Sequence, residues 1–217
     1  GKNAITVRTK AHQRLCVVTK GGDEAISLPS PETFVHNGLA LYTLPGVFSR
    51  EGLDAGTAML LSTLDEQTCA GKRVLDVGCG YGMIGMSVAK LGAAHVDMID
   101  VSLLALDCAK RGVKANGLEE VCSVFGSDLY SDVAEGAQYD LIVSNPPFHA
   151  GHSVDTAASE ALISGARERL AKGGALRLVA NRFLAYDKLL RKVFGKVEVV
   201  KEDSKFWVLE GQHYIKV

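Results

Sequence analysis

The sequence has few cysteines and prolines, no long hydrophobic run and no strong excess of charge of either sign. Its 217 residues include five cysteines and five prolines. An odd number of cysteines without a CxxC pair argues against a disulfide framework and against a zinc site, so we predict no metal. No stretch approaches the roughly 18 consecutive apolar residues of a membrane span, and the N-terminus lacks the apolar region of an export signal. We therefore expect a protein of the reducing cytoplasm without a membrane partner.

The composition indicates a globular chain with a substantial core. It is 47% hydrophobic and 23% charged, with a mean hydropathy of +0.11, which excludes disordered, collagen-like and coiled-coil proteins. The length suits one large domain or a domain with an appendage. The chain begins at Gly1 rather than Met, so we expect processing, a tag remnant or a fragment of a longer protein.

Charge is distributed unevenly along the chain, although the net charge is −1. Residues 1–22 carry five Lys/Arg and no acid, and residues 167–217 carry twelve Lys/Arg against six acids. Residues 23–166 carry seven Lys/Arg against nineteen acids. Two basic ends around an acidic middle are compatible with an RNA-facing rim beside a cofactor domain. Ordinary solvated helix faces would give the same pattern, so both interpretations stay open.

Turn-forming residues separate an N-terminal extension from the rest of the chain. Glycines and prolines cluster between residues 21 and 46 and mark turns, and short strands are predicted before them at 5–8 and 15–19. We therefore divide the chain into an extension, residues 1–45, and a main domain, residues 46–217. Leu and Met recur at helical spacing between residues 53 and 64, with Asp54 placed to cap the start of that helix.

Predicted strands and helices alternate from residue 73 onward. The strands are at 73–77, 94–99, 121–125, 139–144, 175–180, 197–200 and 206–209, and the helices at 82–91, 102–115, 155–171 and 186–194. This alternation predicts an α/β fold, a doubly wound, mostly parallel, seven-stranded Rossmann-like sheet with helices on both faces, preceded by a short extension of strands and loops. Ligands on such sheets bind beyond the carboxyl ends of the strands.

A glycine loop follows the first of these strands, with the sequence Asp76-Val77-Gly78-Cys79-Gly80-Tyr81-Gly82. Closely spaced glycines let a backbone turn sharply and approach a ligand, and the next helix offers free N–H groups. The run from Gly80 to Gly85 literally matches the dinucleotide pattern GxGxxG, and Asp100 follows about twenty residues later, as a ribose-binding acid should. A nicotinamide cofactor is therefore one interpretation of this loop.

S-adenosylmethionine is the interpretation that the surrounding acids favour. Asp76 lies two residues before the first glycine, where a carboxylate suits a ligand with a positive ammonium and sulfonium and would repel a pyrophosphate. The DxGxGxG spacing resembles the nucleotide loop of class I methyltransferases. Asp128 follows the third strand and is placed to accept a hydrogen bond from an adenine amino group. A glycine turn without a ligand is the simpler alternative, in which Asp100 only helps to cap the helix after Val101.

The sequence Asn145-Pro146-Pro147-Phe148 follows the fourth strand. It resembles the N/D-P-P-Y/F motif of methyltransferases that act on exocyclic or amide nitrogens. Such a nitrogen is a poor nucleophile because its lone pair is delocalised, so hydrogen bonds to the Asn145 side chain and the Pro146 carbonyl would orient it. The prolines would stiffen the loop, and Phe148 could stack on a base. A rigid turn after a strand is the structural alternative.

These motifs, together with the segment 44–54 and the strand at 175–181, resemble the ribosomal RNA guanine-N2 methyltransferases of the bacterial small-subunit type over about residues 40–210. The resemblance implies that S-adenosylmethionine is the cofactor and that ribosomal RNA or a ribosomal subunit particle is the partner of a monomeric enzyme. It implies that the cofactor is bound by Asp76, Gly78, Cys79, Gly80, Gly82, Asp100, Val101, Asp128 and Asn145. It implies that the target amine is positioned by Asn145, Pro146, Pro147 and Phe148. It also places Phe48, Ser49 and Thr57 near the cofactor.

Members of that family usually carry two similar halves, of which the C-terminal half is catalytic. This chain is too short for both, so we expect residues 1–40 to be the tail of a missing half or a reduced version of it. A protein glutamine-N5 methyltransferase uses a very similar tetrapeptide, although Phe148 in place of Tyr disfavours it. A non-catalytic RNA-binding or assembly module on the same fold is the alternative from another functional class.

Overall fold

The computed structural model describes residues 4–10, 13–18, 30–50, 52–146 and 156–213. The chain divides into two compact units, residues 1–30 and residues 31–217. The first unit contains the antiparallel strands β1 (Ala4–Lys10) and β2 (Gln13–Val18), whose register shifts between Thr6 and Arg8. Strands were predicted in both of these places, and both predictions are confirmed.

The second unit is built around one seven-stranded sheet. The strands of this sheet are β5 (Arg73–Val77), β6 (His95–Asp100), β7 (Cys122–Gly126), β8 (Tyr139–Ser144), β9 (Leu170–Asn181), β10 (Lys196–Glu202) and β11 (Phe206–Gln212). A separate hairpin of β3 (Glu32–His36) and β4 (Leu39–Thr43) precedes them in the chain. The helices of the second unit are α1 (Ala55–Leu61), α2 (Glu66–Cys69), α3 (Met83–Lys90), α4 (Leu103–Ala115), α5 (Thr156–Arg169) and α6 (Tyr186–Val193).

The strand order in the sheet is β10-β11-β9-β8-β5-β6-β7. All neighbouring pairs from β9 to β7 are parallel, and β11 runs antiparallel to both β9 and β10. The predicted doubly wound, mostly parallel sheet is therefore confirmed. None of the helices in the described part of the chain has the length and apolar character that crossing a membrane requires.

Both faces of the sheet are covered, which explains the continuous apolar character of its strands. Successive residues of β5 point to opposite sides, so Val74 belongs to one buried cluster and Leu75 to the other. The first cluster contains residues of α1, α3 and α4, and the second contains residues of α5 and α6. The two layers of helices leave the carboxyl ends of the central strands open for a ligand.

The β3–β4 hairpin belongs to the second unit, and sequence analysis did not identify it. Its turn is Asn37-Gly38, both with positive φ, which is the two-residue sequence that favours tight hairpins. The Asn116 side chain at the end of α4 bonds to both the N–H and the carbonyl of Ala40, at 2.9 and 2.8 Å, and Leu41 is fully buried. The compact unit therefore begins at Pro31, and the predicted division at 45/46 falls inside it.

The segment after α5 also differs from its prediction. The predicted helix extended to residue 171 and ended with a Gly173-Gly174 turn, whereas β9 already begins at Leu170 and includes both glycines. Gly173 donates to the carbonyl of His213, and Gly174 accepts from the His213 N–H. Pairing with a strand distant in sequence thus overrides the local turn signal. A side chain at Gly174 would also meet the Tyr139 carbonyl at 2.9 Å.

Candidate active site

A cavity of about 310 Å³ lies at the carboxyl ends of β5, β6, β7 and β8. Eight of the predicted site residues line it, and they are Gly78, Cys79, Gly80, Asp100, Val101, Asp128, Asn145 and Pro146. Pro147 and Phe148 lie outside the described residues. The parallel topology brings these segments together because the strands that precede them all point to the same edge of the sheet.

The glycine loop is anchored to the neighbouring strand through its backbone. The N–H groups of Gly78 and Cys79 both donate to the carbonyl of Ile99 at 2.9 Å, and the N–H of Gly80 donates to Asp100 Oδ2 at 2.8 Å. Gly80 has a φ of 57°, and a Cβ built there would meet nothing within 4 Å. A glycine is therefore favoured at this position by backbone conformation, and the space beside it is free for a ligand.

Asp100 is engaged in two hydrogen bonds within the protein. Besides the bond from Gly80, its Oδ1 accepts from the N–H of Ser102 at 2.8 Å. The cap of α4 is Ser102, whose hydroxyl accepts from the N–H of Ala105. Asp100 is therefore not the cap of this helix, and its carboxylate, which lines the cavity, can accept further hydrogen bonds because each oxygen can accept more than one.

Asp76 and Gly82 do not line the cavity but lie beneath it. The Asp76 side chain is fully buried, and its Oδ2 accepts from the N–H of Gly85 at 2.8 Å, so it caps α3 in place of Gly82, which has no side chain to do so. A Cβ at Gly82 would lie 2.6 Å from Met98 Cε. Both residues thus support the loop from within the protein, and their contact with a cofactor stays a prediction.

Burial raises the pKa of Asp76 to about 7, with a further contribution from the charge of Asp100 and an opposing one from the Gly85 N–H. Within the described ranges of the chain, Asp76 Oδ1 is buried and has no hydrogen-bond partner. A carboxyl group in this position responds strongly to charge because no solvent screens it. A cation bound in the loop above would favour its ionised form.

The segment after β7 is held in an unusual conformation. Asp128 is exposed at the cavity, and Leu129 beside it has a φ of 50°, which is uncommon outside glycine. The Ser127 hydroxyl donates to the carbonyl of Leu129 at 2.8 Å and accepts from the N–H of Asp132. This small network fixes the backbone that presents the Asp128 carboxylate.

Asn145 is held at one end of its side-chain amide. Its Nδ2 donates to Thr57 Oγ1 at 2.7 Å and to Asp54 Oδ2 at 3.2 Å. Its Oδ1 is buried and has no hydrogen-bond partner among the residues that the structure describes. Buried polar atoms are normally satisfied, so an unpaired acceptor at the wall of a cavity indicates a place for a ligand that carries an N–H or O–H donor.

Two nucleophile candidates in the cavity wall are neutral at pH 7. Burial raises the pKa of the Cys79 thiol well above its usual range, which argues against a reactive thiolate. Burial and then the charge of Asp54 raise the pKa of Tyr81 to about 12. In the described ranges of the chain, no group of three or more His, Cys, Asp or Glu is arranged to hold a metal ion.

The segment before α1 also reaches the cavity. Phe48 and Thr57 line it. Ser49 is not among the lining residues, but its side chain bonds to Tyr81, which does line the cavity, and donates to the carbonyl of Gly52 at 2.6 Å. The role of Asp54 beside Asn145 was missed by sequence reasoning, which found only its helix cap. No local signal could have revealed that contact, because the two residues are 91 positions apart.

The side chains that line the cavity fit S-adenosylmethionine better than a dinucleotide. Two carboxylates, Asp100 and Asp128, face the cavity where hydroxyl and amino donors would lie, and Val101 provides an apolar wall. No Lys or Arg lines the cavity among the described residues, so a pyrophosphate would find acids and no counter-charge there.

Comparisons with known proteins point to one family. Residues 38–210 match the model of the methyltransferase small domain. The ribosomal RNA small subunit methyltransferase C of Salmonella choleraesuis is 46% identical over 173 residues, which are 79% of this chain and 49% of that protein. The protein of the same name from Serratia proteamaculans is 43% identical over 181 residues, which are 83% and 50% of the two chains.

A solved structure supports the same relationship. A T. thermophilus 16S rRNA N2 methyltransferase, in complex with AdoMet and guanosine, matches with a TM-score of 0.81 and 32% identity, covering 97% of this chain and 58% of that chain. The chain spans about half the length of the curated relatives it matches. Because the family model covers nearly all of the second unit, including the glycine loop and Asn145, the chain belongs to the methyltransferase small domain family.

Proposed function

We propose that this chain transfers a methyl group from S-adenosylmethionine to the exocyclic N2 amine of a guanine in ribosomal RNA, in the small subunit. The observation that carries the proposal is the unpaired, buried Oδ1 of Asn145 in the wall of the cavity that the glycine loop also lines. An exocyclic amine carries two N–H donors, and an acceptor beside the loop would hold it where the methyl group is delivered.

The cofactor would be held by the residues of three strand ends. Asp100 offers its carboxylate to ribose hydroxyls, Asp128 accepts from the adenine amine, and the backbone of Gly78 and Gly80 leaves room for the methionine part. S-adenosylmethionine supplies an electrophilic methyl group on a sulfonium, and the C–S electron pair stays on the sulfur when a nitrogen lone pair takes the methyl.

The residues around the target amine act by orientation. Oδ1 of Asn145 would accept one N–H of the amine, and the Pro146 carbonyl, which follows directly, would accept the other. These bonds draw the nitrogen toward a tetrahedral geometry and localise its lone pair, which lowers the barrier to attack. The methylated nitrogen then loses a proton to solvent, so no side chain with a special pKa is required.

The choice of substrate is supported by the relatives. Those from Salmonella choleraesuis and Serratia proteamaculans are named for the small-subunit ribosomal RNA, and the T. thermophilus structure contains guanosine and is named for the N2 position. A ribosomal RNA or subunit particle is therefore the proposed partner, and a cytoplasmic monomer without a metal is the proposed form of the protein.

The test is methyl transfer from labelled S-adenosylmethionine to four substrates: unmodified small-subunit RNA, large-subunit RNA, partly assembled small-subunit particles and a translation factor with a glutamine acceptor. We expect label in the small-subunit RNA or particle, recovered as N2-methylguanosine after digestion. Asn145→Ala serves as the matched control, because it removes the acceptor and leaves the cavity residues that face the cofactor.

The other functional classes give different results in the same assay. Label on the translation factor alone would indicate a glutamine-N5 methyltransferase. RNA binding without transfer of label to any substrate, with no binding of S-adenosylmethionine in a parallel titration, would indicate a non-catalytic module.

A further inference from the structure

The side-chain amide of Asn145 can adopt two orientations that fill the same space. Only one of them presents the amide oxygen, which can accept a hydrogen bond from a substrate amine. In the structure its NH₂ group faces α1, where Thr57 Oγ1 and Asp54 Oδ2 accept from it, and its oxygen is left unpaired. A half-turn of the amide would direct the NH₂ group to the substrate amine, so that two N–H donors would face each other.

Asp54 is the group that distinguishes the two orientations. A hydroxyl such as that of Thr57 can either donate or accept, so it would bond either end of the amide. An ionised carboxylate only accepts, so it attracts the NH₂ group and repels the oxygen. The orientation of the Asn145 amide is therefore set by an acceptor oxygen that belongs to a different element.

Asp54 is itself held in place by the start of α1. The same Oδ2 that accepts from Asn145 accepts from the N–H of Thr57 at 3.0 Å, as the helix cap. A Cβ at Gly56 would come within 3.0 Å of this oxygen, so the glycine leaves the carboxylate its space. Asp54, the N-terminal cap of α1, thus fixes the side-chain amide of Asn145 at the end of β8.

We propose that Asp54 is a positioning residue that orients the Asn145 amide, so that the site accepts only a nitrogen that carries hydrogen. This inference rests on the proposed function and gives the physical reason why its acceptor nitrogen must carry hydrogen. A ring nitrogen or carbonyl oxygen without hydrogen would place its lone pair against Oδ1 and be rejected.

The first experiment replaces the acid while keeping the helix cap. Ser is a good cap residue but too short to reach Asn145, so Asp54→Ser should fold and lose the orienting contact. We expect the single-turnover rate of methyl transfer to fall about tenfold, the lower end for loss of a hydrogen bond to a charge because Thr57 remains. The affinities for S-adenosylmethionine and RNA should stay at the wild-type values.

Two further variants control for the chemistry of the change. Asp54→Asn keeps an oxygen that can accept from both Thr57 and Asn145, so it should recover most of the rate.

Asp65 caps α2 in the same way, accepting from the N–H of Thr68 at 2.8 Å, and is exposed and outside the cavity. Asp65→Ser should therefore leave methyl transfer unchanged, and a tenfold loss there would mean that altered helix caps in general slow the enzyme, which would overturn the proposal.

A double-mutant cycle shows whether Asp54 acts through Asn145. If it does, Asp54→Ser should cause no further loss of rate when Asn145 is already Ala. An equal tenfold loss in both backgrounds would mean that Asp54 acts independently, and the proposal would be wrong.

A measurement without cofactor or RNA separates this inference from the proposed function. The side-chain amide of Asn145 gives a pair of nuclear magnetic resonance signals that is identified by its absence in Asn145→Ala. We expect its hydrogen exchange with water to be at least several-fold faster in Asp54→Ser and unchanged in Asp65→Ser. Unchanged exchange in Asp54→Ser would contradict the positioning role, even if methyl transfer to RNA were established, and faster exchange would support it even if no RNA were methylated.

Discussion

Asp100 accepts a hydrogen bond from the backbone N–H of Gly80 over 2.8 Å, and so ties the end of β6 to the glycine loop after β5. The carboxylate proposed to bind the ribose is thus also the anchor of the loop proposed to surround the methionine part. The end of β6 and the glycine loop are therefore held together by a direct hydrogen bond, and a change at Asp100 affects both.

Asp100→Ala should weaken cofactor binding and also destabilise the free protein. Loss of a hydrogen bond to a charged group costs about 1.5–3 kcal/mol, or about 10- to 150-fold in affinity. Asp128→Ala is the matched control, because Asp128 is exposed and should change affinity without changing the Tm of the free protein. Calorimetric titration and thermal unfolding give the two quantities, and an unchanged Tm in Asp100→Ala would show that its bond to Gly80 contributes nothing to stability.

S-adenosylmethionine and its demethylated product should raise the Tm of the protein, and NAD should not. A ligand at 100 times its Kd stabilises the folded state by about 2.7 kcal/mol. The acids that line the cavity repel the pyrophosphate of NAD, and no Lys or Arg among the described lining residues offsets that repulsion. Thermal unfolding in the presence of each ligand measures the change in Tm. A rise in Tm with NAD alone would show that the glycine loop binds a dinucleotide and not S-adenosylmethionine.

Asp76→Asn should make the protein more stable than wild type at alkaline pH and leave its stability nearly unchanged at pH 3. Burial raises the pKa of Asp76 from its ordinary 3.8 to about 7, so the folded state holds this proton more tightly than the unfolded state. The stability that the bound proton provides is present below about pH 4 and is lost as the pH rises through about 7.

The neutral amide of Asp76→Asn has no proton to lose, so the difference in unfolding free energy between variant and wild type should grow by up to about 4 kcal/mol between pH 3 and pH 8. Urea unfolding at several pH values measures this difference. Parallel pH profiles for the two proteins would mean that Asp76 does not titrate in this range.

Two helix glycines should respond differently to alanine. A Cβ at Gly165 would lie 2.4 Å from the Tyr130 ring, and that ring is fixed by its hydroxyl bond to the Leu162 carbonyl. A Cβ at Gly112 would meet the flexible end of Met86 at 2.8 Å, which can move aside.

We expect Gly165→Ala to destabilise the protein by about 1–3 kcal/mol, as overpacking does, although alanine is the better helix former. Gly112→Ala should cost less, because the helix preference for alanine offsets a small shift of Met86. Urea unfolding of both variants checks the order, and a greater loss for Gly112→Ala would contradict it.

The sequence alone was sufficient to locate the cavity. Strands with continuous apolar character predicted a parallel sheet, and the residues that follow them, Gly78, Asp100, Asp128 and Asn145, meet at one edge as a consequence of that topology. Patterns of this kind are local, because a strand end, a glycine turn and a helix start are all defined within a few residues.

The tertiary structure decided which of the predicted site residues line the cavity and which support the loop from within the protein. Asp76 is withdrawn beneath the loop by the N–H of Gly85, and the contact with Asn145 gives Asp54 a partner 91 positions away. Burial and side-chain partners arise from contacts between segments that are distant in the chain, and no local pattern encodes them. The sequence therefore determined the elements and the position of the cavity, while the packing of α1 and α3 against the sheet determined the polarity and charge of the groups inside it.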